Sequence, residues 1–139
     1  MKAIVYLCRY KKIDLLIANK EAEKKMWLDM AAGVSSPVGG DKVQSSKDHH
    51  QMEQKVIEAA LIDEEIARLR QEKKDIIKTI EMLPPDEYDL LHKVYVQGKS
   101  LKEVQADHGM SYSWASTTHR KAKRDLEKLL IRLECSQDE

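Results

Sequence analysis

The chain contains no phenylalanine, and aromatic residues make up only 5% of its 139 positions. A broad sheet core leans on aromatic and β-branched packing, so the composition favours an all-α fold. Glycine (5) and proline (3) are scarce, which leaves long stretches free to run as amphipathic helices. Only two cysteines occur, Cys8 and Cys135, near opposite ends and in no CxxC or Cys/His ligand spacing. That argues against a zinc module and favours a reduced, cytoplasmic setting over a disulfide. Long hydrophobic runs are absent too. The apolar run from Ala3 to Cys8 is too short for a signal-peptide core, and nothing approaches a membrane span. Finally, no charge of one sign prevails: 24 Lys and Arg balance 24 Asp and Glu. A balanced chain is an unusual partner for a polyanion, so any binding to DNA should be weak unless dimerisation or a second protein helps.

What is present is sharp punctuation between Ser100 and Leu126. Ser100 followed by Glu103 is a capping box, which predicts a helix from about Leu101, with Leu101 and Val104 on its apolar face. Gly109 supplies the left-handed stop. Ser111 is a second N-cap, and behind it Ala115, His119, Ala122, Leu126, Leu129 and Leu133 recur at alternating spacings of four and three, which predicts one buried stripe. On the opposite side lie Ser113, Thr117, Arg120 and Arg124, flanked by Tyr112, Ser116 and Lys121. From Tyr112 to Arg124 every charge is positive, and hydroxyl residues fill the first two turns. In a helix-turn-helix the start of the second helix meets base edges and later basic residues meet phosphates. The residue types suit those jobs in that order. A solvated outer face on a short helical hairpin is the plainer alternative.

The remaining chain divides readily. Residues 1–83 are expected as a helical hairpin or coiled coil. Met1 to about Ala32 reads as one helix, with Tyr6, Tyr10, Ile13, Ile17, Trp27, Met30 and Ala31 on its apolar face, although Ile4 to Cys8 alone would suit a strand. Residues 33–46, GVSSPVGGDKVQSS, read as a flexible linker. Its paired glycines lack the Gly-Lys-Ser/Thr ending of a phosphate loop, so nucleotide binding is discarded. From about Asp48 to Leu83 a second helix carries an a/d seam of Ala59, Ile62, Ile66, Leu69, Lys73, Ile76, Ile80 and Leu83. Either the first helix folding back or a second copy of the chain, as a homodimer through residues 59–83, can cover it. His49 and His50 point about 100° apart on a helix and are read as exposed rather than as metal ligands. Pro84 and Pro85 end the helix, and Asp86 and Glu87 place negative charge in the first turn of the next, where the dipole favours it. Leu91, Val94 and Tyr95 form its inner face and Gly98 its stop. A helix-turn-helix domain is thus expected over 84–133, with a frayed tail at 134–139.

The run from Leu83, LPPDEYDLLHKVYVQGKSLKEVQADHGMSYSWASTTHRKAKRDLEKL, resembles region four of bacterial sigma factors, in Leu83-Pro84, Leu91, Tyr95, Gly98, Leu101, Glu103-Val104, Gly109, Ser111 and Arg120-Lys121-Ala122. With its helical N-terminal part, at Tyr6-Leu7, Tyr10, Asp14 and Ile17, the chain is similar to small sigma-like proteins of phages and prophages of Gram-positive bacteria, the ArpU-like and RinA-like regulators of late transcription among them. The resemblance implies an all-α, region-four-like helix-turn-helix acting on double-stranded DNA beside bacterial RNA polymerase. Departures are Gln105, where the family has a small residue unless Ala106 takes that role, and His108 and His119 in place of apolar residues.

A DNA-binding transcription regulator is therefore the leading expectation. Ser113, Ser116 and Thr117 would read bases, while Arg120, Lys121 and Arg124 hold phosphates or, for Arg120, a guanine edge. The alternatives are a terminase small subunit that packages DNA and a coiled-coil adaptor that binds protein. No nucleophile-base pair, metal cluster or phosphate loop emerges, so neither enzyme activity, a metal nor a cofactor is expected.

Overall fold

A computed structural model describes residues 1–32 and 46–137; the expected linker at 33–46 lies outside them except for Ser46, where a helix begins. The described elements are α1 (Ala3–Ala31), α2 (Ser46–Glu81), α3 (Pro85–Leu91), a π turn (His92–Val96), α4 (Leu101–His108) and α5 (Tyr112–Gln137). The fold is all-α, with no strand among the described residues. No described helix is long and apolar enough to cross a membrane.

Two compact units share these helices. One comprises Met1–Ile13 with Glu72–Glu139, the other Asp14–Gln71. The residues expected as a single hairpin region, 1–83, are thus divided between the two.

In the first unit the start of α1 is helical despite the strand propensity of Ile4 and Val5. Ala3 and Leu7, one turn apart, are both buried in a core with Ile80, Leu90, Leu91, Val104, Ala122, Leu126 and Leu129. The backbone N–H of Ala3 donates to the Glu127 carboxylate at 3.0 Å, giving a group at the open end of the helix a partner. Alongside, Arg9 makes a two-pronged bond to Glu72 at 3.0 and 3.1 Å, and Lys73, the polar seam residue, lies over the Tyr10 ring at 4.8 Å. At the chain turn, Pro85 occupies the first turn of α3, where its missing N–H costs nothing.

Asp86 and Glu87 both lie in the first turn of α3, as the sequence implied. Asp86 is exposed, whereas Glu87 is buried and turned toward α5. The helix then widens: Gln97 N–H donates to the His92 carbonyl, five residues back, at 3.0 Å. Before this π turn Leu90 joins Leu91 in the core, and within it Val94 and Tyr95 are half-buried against that core. Gly98 at φ 76° ends the segment in the left-handed region favoured by glycine.

In the second unit Asp14 to Ala32 runs against the part of α2 up to Gln71. Ala59, Ile62 and Ile66 are buried and Leu69 is half-buried, so α1 of the same chain covers this part of the seam. Ion pairs border it: Lys20 with Glu65, Lys24 with Asp63 at 2.8 Å and Arg70 with Glu21 at 3.0 Å. Ala31 is buried and Ile17 and Trp27 are half-buried, as packing residues; Met30, expected on the same face, is exposed. His50 is exposed.

Candidate nucleic-acid interface

The site is built from two short loops and two caps. Ser100 Oγ accepts the backbone N–H of Glu103 at 3.2 Å, fixing the start of α4. Gly109 ends α4 at φ 63°, with Gly109 N–H donating to Ala106 and Met110 N–H to Gln105, both at 3.2 Å. Ser111 Oγ then accepts the N–H of Trp114 at 3.1 Å, fixing the start of α5. Only Met110 and Ser111 lie between Gly109 and the first residue of α5, so the direction of α5 is set by this turn and by what its inner face buries.

That inner face is Ala115, Thr118, Ala122, Leu126, Leu129 and Leu130. The expected stripe is present at Ala115, Ala122, Leu126 and Leu129, whereas His119 and Leu133 are only half-buried. Thr118 and Leu130 were missed, because a strict alternation of three and four describes a narrower seam than a helix buries against several neighbours. No glycine or proline interrupts α5 after Leu133, and it continues to Gln137, past the expected fraying point; Asp138 and Glu139 lie outside the described residues.

The two histidines pack as polar members of the helix contacts. His119 Nε2 lies 2.8 Å from the Tyr95 hydroxyl, with the rings stacked at 5.8 Å. Burial, then the positive charge of Lys123, holds its pKa below the ordinary histidine value, and burial likewise raises that of Tyr95. His108 Nε2 approaches Asp89 Oδ2 to 2.6 Å, and its ring lies 5.0 Å from that of Trp114. Trp114 therefore packs on α4. Burial opposes the charge of Asp89, but Lys93, at 3.0 Å, and His108 outweigh it and keep its pKa low. Ala106 is exposed and Gln105 half-buried, so Ala106 does not take the close-contact role between helices.

Opposite the buried stripe, all but one of the expected interface residues are exposed. Tyr112 is 51% exposed, and Ser113, Thr117, Arg120, Lys121 and Arg124 face solvent, while Ser116 is half-buried. At about 100° per residue, Ser113, Thr117, Arg120 and Arg124 share one narrow sector roughly opposite Ala115 and Ala122. Lys128, exposed and one turn beyond Arg124, extends the basic face; the i, i+4 spacing was there to be read. The N-terminal turn of α5 contains no acid, leaving the positive end of the helix dipole uncompensated.

At the shoulder between this face and the core lie Lys121 and Asp125, and beneath them the carboxyl of Glu87. Lys121 Nζ is 3.9 Å from Glu87 Oε1, and neither Glu87 oxygen receives a hydrogen bond among the described residues. No sequence spacing pointed to this pair, which joins helices 34 positions apart. No group of three His, Cys, Asp or Glu among the described residues is placed to hold a metal. Comparison with protein-family models, with curated proteins and with solved structures finds no match to this chain.

Proposed function

We propose that α4, the Gly109 turn and α5 form a helix-turn-helix that sets α5 in the major groove of double-stranded DNA, and that the protein regulates transcription. The observation that carries this reading is the face of α5: hydroxyl side chains at its start, cations further on, no acid from Tyr112 to Arg124, and a buried stripe behind. Ser113 and Thr117, with Ser116 at the edge, meet base edges; Lys121 and Arg124 hold phosphates; Arg120 serves either partner. Tyr112, at the entry of the helix, flanks the contact. A regulator of this kind acts by binding, without chemistry of its own, in the cytoplasm of a bacterial host.

The zero net charge and the resemblance to sigma region four together favour action beside bacterial RNA polymerase. Only local neutralisation is available to the protein alone, so its affinity should be low and should fall with salt by a slope set by the few phosphates that Arg120, Lys121 and Arg124 reach. Selection of bound sequences from a random duplex pool at low salt, with and without polymerase, tests this. One enriched motif with the protein alone marks an autonomous DNA reader, and enrichment only with polymerase marks a sigma-like co-factor. No enrichment in either arm contradicts the proposal and favours a protein-binding adaptor. Once a motif is known, Arg120→Ala should cost about 1–3 kcal/mol of specific binding if it reads a base. An equal loss on every sequence makes it a phosphate anchor.

A further inference from the structure

The Glu87 side chain is 1% exposed, and the cation that approaches it, Lys121, belongs to the outward-facing helix and is itself 69% exposed. The groups acting on this carboxyl are Asp125 and Lys121 from α5 and Asp86 from its own helix, α3. Its pKa is pushed up to about 7, first by burial, then by Asp125, which can share a hydrogen bond only with a protonated Glu87 and repels a charged one. Lys121 works the other way. It is thus the cation that favours the charged form of Glu87, and it stands beside Arg120 on the face assigned to DNA.

We propose that Lys121 cannot serve Glu87 and a DNA phosphate at once, so that DNA binding draws a proton onto the Glu87–Asp125 pair and tightens as the pH falls. This rests on the DNA reading above. The coupling follows from linkage: a phosphate that takes Lys121 removes the cation that stabilises charged Glu87 and brings another negative charge near. Glu87 then binds its proton more tightly in the complex than in the free protein. Between the two pKa values, one proton is taken up for each complex formed, and affinity changes by at most about tenfold per pH unit.

The test is DNA affinity at about pH 6, 7 and 8 at constant ionic strength, for the full chain and for Glu87→Gln and Lys121→Ala. The full chain should bind several-fold more tightly at the low end. Glu87→Gln should lose this part of the dependence, and Lys121→Ala should bind more weakly and lose the same part. Histidine protonation, which also adds positive charge at low pH, remains in both variants and so is subtracted. An independent measurement covers a variant that folds poorly: nuclear magnetic resonance titration of the Glu87 carboxyl in the unaltered protein, with a midpoint near 7 that rises when DNA is added. A midpoint in the ordinary glutamate range, or a pH profile unchanged in Glu87→Gln while DNA still binds, overturns this inference alone. Absence of DNA binding at every pH overturns it together with the DNA reading.

Discussion

The two units solve the same packing problem with different numbers of helices, and their burial shows the result. In the unit holding the C-terminal helices, Leu7, Ile80, Leu90, Leu91, Val104 and Leu126 are all buried to 1% exposure or less. In the unit Asp14–Gln71 the buried apolar residues among those described are fewer, Ala31, Ala59, Ile62 and Ile66; exposed apolar residues occur in both units, Ile4, Val5 and Ile131 in the first and Leu15, Met26, Ile57 and Leu61 in the second. Two helices can shield one seam and no more; a side chain on the flank of that seam still meets water. Several helices packed together can enclose the contacts at their centre, as the near-zero exposure of Leu90, Leu91, Val104 and Leu126 shows. The proposed DNA-facing helix is mounted on the second kind of core, which holds its outward side chains in a fixed relation to the turn before them.

This contrast can be broken most strongly at Leu126. Leu126→Ala should lower stability by about 2–5 kcal/mol, read by thermal or denaturant unfolding. Unaltered melting would remove Leu126 from the core. Next in size is the effect of pH on Glu87. Its folded pKa of about 7 lies above the ordinary value of 4.5, so its contribution to stability is full below about 4.5 and is lost as the pH rises through about 7. The span is on the order of 3 kcal/mol. Glu87→Gln, uncharged at every pH, should lack this decline. His119 acts in the opposite sense: its lowered pKa gives stability present above the ordinary histidine value and lost as the pH falls below it. Comparison of Glu87→Gln with the unaltered chain over one pH series isolates the glutamate, and identical profiles would show that Glu87 ionises freely.

Smaller effects belong to the two-helix unit. Ile66→Ala removes a side chain buried in a seam with open flanks, where neighbours can close in, and should cost about 2 kcal/mol, near the low end for such changes. A loss equal to that of Leu126→Ala would erase the contrast between the units. Smallest of all is Glu21→Gln, which breaks a pair with Arg70 whose side chains are more than half exposed, and should shift stability by no more than about 0.5 kcal/mol. A larger shift would mean that the ion pairs, not the seam, hold α1 to α2 there.

The parts written in the sequence were those with local causes. Ser100, Gly109 and Ser111 cap the chain with their own neighbours, so their geometry was legible from spacing. The α2 seam was legible because periodicity depends on one helix alone, but what covers it was not, since that choice involves another segment. The exposed face of α5 followed from the stripe behind it. Glu87 stands in the first turn of α3 as its spacing implied, but the rule for acids at helix starts considers only the helix itself and says nothing of burial. Its burial depends on α5 passing over it, and that is tertiary information. Leu90 was missed for a related reason: α3 is buried on a wider face than a single line of three-four spacings describes, because it packs against more than one neighbour.

The central claim is that the outward face of α5 holds duplex DNA, and paired binding and melting curves test it most directly. The unaltered chain and Arg120→Ala/Arg124→Ala are titrated at low salt into a labelled duplex, and both proteins are melted under the same conditions. The account predicts saturable binding by the unaltered chain, loss of most of that affinity in the double variant, and melting that is unchanged because both residues face solvent. No binding to any duplex, or equal affinity of the two proteins, would contradict it.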